Sequence, residues 1–73
     1  MDRKDNALRQ FGQRLTALRK QKGLSIRDLA DATGLGHHQI EDIEEGRVNL
    51  LFTTILALAR GLEVTPAQLL DFP

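Results

Sequence analysis

One spacing constrains this chain more than any other, and it runs from Ile26 to Glu45. Counting Ile26 as first, Leu29 stands fourth, Ala30 fifth, Gly34 ninth, Leu35 tenth, Ile40 fifteenth and Ile43 eighteenth. Two short helices that cross steeply over a tight corner bring their backbones together near the fifth position, where only a small side chain fits. The ninth position must take a positive φ, which glycine adopts without strain. The remaining apolar positions are expected to point at the first helix and to lock the angle of the pair. The pattern predicts a helix-turn-helix over about residues 26–45.

The flanking sequence supplies three more helices and no strand. Leu8, Phe11, Leu15 and Leu18 recur at steps of three and four, which predicts a helix from about Asn6 to Lys22 that ends at Gly23. Ser25 and Asp28 form a capping box that opens a helix to about Ala32, with Gly34 as its stop. His37 to Glu45 reads as the third helix, ended by Gly46, and Phe52 to Arg60 as the fourth, with Asn49 available as its cap. Thr65 and Gln68 form a second capping box, with Pro66 at the first helical position and Leu69 following. At 73 residues and 41% hydrophobic, with no low-complexity tract, the chain reads as a single all-α domain over 1–73. Its ordered core is expected at about 6–70, with 1–4 and 71–73 frayed.

Composition removes several classes of function. No cysteine is present, so disulfide scaffolds, thiolate zinc sites and cysteine nucleophiles are excluded. No apolar run approaches membrane-spanning length and no cationic-then-apolar leader opens the sequence, which predicts a cytoplasmic protein. Ser25 is the only serine and is taken up in capping, so no nucleophile–base set can be assembled and no enzymatic activity is expected. A domain this small, without a staple, gains stability readily by dimerising.

The zero net charge conceals an asymmetry. Residues 1–24 carry seven bases against two acids, whereas residues 25–73 carry three bases (Arg27, Arg47, Arg60) against eight acids. A basic first third points toward a polyanion or an acidic partner, or simply to a solvated helix face.

The run Phe11-Gly12-Gln13-Arg14-Leu15, Leu18-Arg19-Lys20, Lys22-Gly23-Leu24-Ser25, Leu29-Ala30, Gly34-Leu35, Ile40, Ile43-Glu44 and Gly46-Arg47 resembles the lambda-repressor/Cro-like family of bacterial and phage regulators, often called Xre-like. The resemblance continues through Ile55, Leu58-Ala59, Leu62, Val64 and Leu69, and so covers residues 11–70. It implies a five-helix DNA-binding domain acting as a homodimer on a palindromic operator, with half-sites roughly 34 Å apart. It places His37, His38, Gln39 and Asp42 where the family reads bases. It places Arg19, Arg27, Gly36 and Arg47 near the DNA backbone, and makes Arg19 and Glu44 a structural pair. No cofactor or metal is implied.

Three departures from the family pattern stand out. Residues 28–46 hold six acids and neither lysine nor arginine, which disfavours phosphate contact on that face. Ile26 replaces a polar residue, as a hydrophobic staple, a partner contact or an ordinary exposed isoleucine. Leu50-Leu51 stands where the family usually has proline, threonine or serine, and together with Phe52 reads as a dimer contact or as a loop buried by a shift. His37 and His38 point roughly 100° apart on a helix and cannot chelate one ion together, but each has an acid four residues on, Glu41 and Asp42. The rival reading is a protein-interaction module, such as the antitoxin of a toxin–antitoxin pair, using the acidic third helix and the Leu50–Phe52 loop. A small-molecule sensor has little support in so short a chain.

Overall fold

The computed structural model describes residues 3–73, and among them every regular element is helical. In chain order these are α1 (Arg3–Gln21), α2 (Ile26–Thr33), α3 (His37–Glu44), α4 (Phe52–Leu62) and α5 (Pro66–Leu69). The all-α, five-helix expectation holds. The α1 helix starts three residues earlier than its apolar stripe suggests, because Arg3, Lys4 and Asp5 form an exposed first turn with an acid near the positive end of the dipole. Of the expected frayed start, residues 3 and 4 are therefore helical, and residues 1 and 2 lie outside the described residues. At the other end Phe72 is half-buried, and its ring meets Phe11 of α1 edge-on at 6.4 Å.

The core is largely aliphatic, with the Phe11 ring buried among the aliphatic side chains. Leu15, Leu29, Ile40, Leu58, Leu62 and Leu69 are wholly buried and come from all five helices. Ile26, Ala30, Leu35 and Leu50 pack partly against them. Ile26 is therefore a half-buried contact that closes the start of α2. The α2 helix packs chiefly on α3 and α4, and α1 packs on α3 and α5. This corrects the expectation that the apolar positions of both motif helices face α1. The cause is α4, which lies close enough to α2 that a Cβ on Gly61 would meet Thr33 Cγ2 at 2.5 Å.

The corner between α2 and α3 is made by Gly34, Leu35 and Gly36, with Gly34 at φ 76°. Its backbone N–H returns to the Ala30 carbonyl at 2.9 Å, which closes α2. Both expected capping boxes form: Ser25 with Asp28, and Thr65 with Gln68 beneath Pro66. One cap does not. Asn49 stays outside α4, whose N-cap is Leu51 with no side-chain bond, because the helix begins directly at Phe52. The α4 helix also outruns its expected end at Arg60 and stops at Leu62, with Glu63 in the left-handed region at φ 57°.

Candidate nucleic-acid interface

The inward face of α3 carries Ile40 and Ile43, which leaves His37, His38, Gln39 and Asp42 on the outward side. Ile40 and Ile43 are buried because three residues is close to one helical turn, so the residues between them project away from the core. His37, His38 and Gln39 are exposed, and His38 protrudes most, its side chain 95% accessible. Gly36 is the N-cap and offers no side-chain oxygen, so the first N–H groups of α3 face outward with no side-chain cap. An open groove of about 650 Å³ runs along the corner, lined by Arg27, Ala30, Asp31, Gly34, Leu35 and His37.

What aims α3 is a buried ion pair behind it. Arg19 Nε donates to Glu44 Oε2 at 2.7 Å and Nη2 donates to Oε1 at 3.0 Å, a two-pronged grip. Arg19 Nη1 donates to the Leu24 carbonyl at 2.8 Å, and Thr16 Oγ1 donates to Glu44 Oε1 at 2.8 Å. The Glu44 carboxylate holds the guanidinium even more firmly protonated than usual, its hydrogen bond being the largest cause. Only 8% of Arg19 is accessible, and all three of its nitrogens are engaged inside the protein. The pair that the resemblance implied is present. Its second implied role, offering Arg19 to phosphate, does not fit a side chain buried this way.

A close approach that the sequence reading missed makes this possible. A Cβ on Gly12 would lie 2.3 Å from the Glu44 carbonyl oxygen and 2.6 Å from that of Ile43. The α1 backbone therefore rests on the last turn of α3. The signal was available only as a glycine inside a helical stripe, which often has a packing reason.

The acids of α3 are largely taken up within the chain. Glu41 Oε1 lies 3.1 Å from His37 Nε2 and 3.5 Å from His38 Nδ1. The two imidazoles lie nearly parallel with centroids 5.7 Å apart. The partner expected for His38 four residues on, Asp42, is instead 3.5 Å from Arg47 Nη1, and Arg47 Nη2 also meets Glu45. Among the described residues no cluster of three or more His, Asp or Glu side chains is arranged to hold a metal ion. Among the described residues the Arg27 side chain has no hydrogen-bond or ion-pair partner, and it is exposed, so it is a readily available cation of the motif. Arg14 is committed elsewhere, its Nε donating to the Gln68 carbonyl at 2.9 Å. Leu50, Leu51 and Phe52 separate: Leu50 packs inward, whereas Leu51 and Phe52 are 70% and 71% exposed.

An α2–corner–α3 unit braced from behind and exposed in front defines a helix-turn-helix domain. A helix-turn-helix domain family model matches residues 10–72. The chain belongs to this family, the Xre-like helix-turn-helix proteins, a non-enzymatic DNA-binding family. It is 39% identical over 62 residues to the HTH-type transcriptional regulator PuuR of Escherichia coli, covering 85% of this chain and 34% of that protein. It is 34% identical over 59 residues to the regulator DdrOP3 of Deinococcus deserti, covering 81% of this chain and 46% of that protein. The chain thus spans less than half the length of these curated relatives. Among solved structures it resembles the restriction-modification controller protein C.AhdI of Aeromonas hydrophila at 42% identity and a TM-score of 0.83, covering 85% of this chain and 94% of that one.

Proposed function

We propose that this chain is a sequence-specific DNA-binding transcriptional regulator that acts in the cytoplasm as a homodimer on a palindromic operator. The observation that carries the reading is the outward row His37, His38, Gln39 and Asp42 on a helix whose other side is fixed to α1 by a buried ion pair. Membership of the helix-turn-helix family and the likeness to PuuR and to a controller protein support it. In this reading the four outward residues meet base edges in the major groove. Gln39 suits adenine, and Asp42 accepts from cytosine N4.

Phosphates fall to Arg27, Arg47 and the N–H groups that follow Gly36, joined by exposed Lys20 and Lys22 at the α1–α2 corner. Arg19 is assigned as a brace, because each of its three nitrogens donates to a group inside the protein. Leu51 and Phe52 are the proposed dimer contact, while Leu50 is partly buried against the core. Since every acid from Glu41 to Glu45 faces a cation or a histidine of its own chain, the charge argument for a basic protein partner weakens.

The test is selection from random duplex DNA at physiological salt, paired with sedimentation equilibrium. The expected result is a palindromic sequence bound by a particle of two-chain mass. A monomer, or enrichment of no sequence, overturns the reading.

A further inference from the structure

We infer that Asp42 and Glu45 act as an internal substitute for DNA phosphate, holding Arg47 until a duplex displaces them. This rests on the DNA-binding reading and adds a determinant of specificity to it. Arg47 lies just beyond α3, turned back by Gly46 at φ 72°, and its backbone N–H donates to the Asp42 carbonyl at 2.9 Å. That turn returns the guanidinium over the end of α3, where Nη1 is 3.5 Å from Asp42 Oδ1 and Nη2 contacts Glu45 Oε2. All three side chains are well exposed, so the grip is loose and a phosphate can compete for it.

The arrangement has a physical consequence. A guanidinium that is free in solution gains a phosphate at no internal cost, on any sequence. Here each phosphate contact by Arg47 strips a partner from Asp42 and Glu45 and leaves two carboxylates beside an anionic backbone. Random DNA returns nothing for this. A site whose base edge donates a hydrogen bond to Asp42 does return something, so the clasp weakens non-specific binding more than specific binding and widens the ratio between them. Arg27, whose side chain has no partner among the described residues, carries no such condition.

The experiment is a double-mutant cycle on the full chain, with Asp42→Asn, Arg47→Gln and the double variant. Affinity for a mixed-sequence duplex is measured by fluorescence anisotropy at fixed salt, and each variant's melting temperature is recorded. Asp42→Asn removes a repulsive charge in both backgrounds, but it releases a clasped cation only where Arg47 is present. The expected result is a gain in affinity roughly two- to fivefold larger in the wild-type background than in Arg47→Gln, the range of an exposed ion pair. Glu45→Gln is expected to show the same coupling to Arg47. Equal gains in the two backgrounds would overturn the clasp while leaving the DNA-binding reading intact. No binding by the wild-type chain either to this duplex or to the sequence selected from random DNA, with its melting transition preserved, would overturn both.

Discussion

At the scale of single residues, the orientation of α3 rests on Glu44 and Gly12. A buried charge left without its partner is costly, and Arg19 is almost wholly buried. Glu44→Ala is expected to destabilise the domain by about 3–5 kcal/mol, measured by urea unfolding. Gly12→Ala tests the crossing itself. Helix propensity alone would favour alanine by about 0.5–1 kcal/mol. The added Cβ would meet two backbone carbonyl oxygens at 2.3 and 2.6 Å, which no rotamer change relieves. Overpacking of this kind costs about 1–3 kcal/mol, so the net sign is expected to be a loss. A Gly12→Ala chain more stable than the wild type would show that α1 and α3 can part without cost.

At the scale of elements, the helix ends divide into those that carry their own stop signals and those set by packing. The Ser25–Asp28 box belongs to the first kind. Hydrogen bonds from the Ser25 backbone, and then its side chain, hold the Asp28 carboxyl below its ordinary value of 3.8. Because the folded-state value is depressed, the stabilisation is complete above the ordinary aspartate range and fades as pH falls through and below it. Thermal unfolding from pH 6 to pH 2 is expected to show a loss in this window that is smaller in Asp28→Ala. The N-terminus of α4 is the second kind, since Leu51 holds a cap position without capping. Leu51→Ser is expected to give opposite effects on two measurements. The cap should raise monomer stability by about 1 kcal/mol. Loss of an exposed leucine from the proposed contact should shift the sedimentation profile toward one-chain mass. An unchanged mass would remove Leu51 from the dimer.

At the scale of the whole molecule, zero net charge does not mean an electrically bland surface. Arg19 of α1 is paired with Glu44 of α3, the other acids of α3 meet its own histidines and Arg47, and Arg27 stays exposed. The assignment of roles predicts two distinguishable defects. Arg27→Ala should weaken binding to all duplexes alike and flatten the dependence on salt. Gln39→Ala should keep the salt slope and lose discrimination at particular base pairs of the selected site. The same sequence-independent loss in both would show that the sorting of contacts is wrong.

What the sequence alone determined was whatever is written locally. Periodic apolar residues, two capping boxes, a proline at a first turn and glycines at Gly34 and Gly46 each act through neighbours a few positions away, so helix number, order and corner were legible. The Arg19–Glu44 pair was legible only through family resemblance, since the two lie 25 residues apart. Only the tertiary structure decided that Arg19 is buried, that Leu50 turns in while Leu51 and Phe52 turn out, and that Arg47 rather than His38 engages Asp42. It also decided that α2 leans on α4 and that Phe72 folds back onto Phe11. The reason is the same in each case. Burial and ion pairing depend on which distant backbones come within a few ångströms, and that distance is set by the packing of all five helices together.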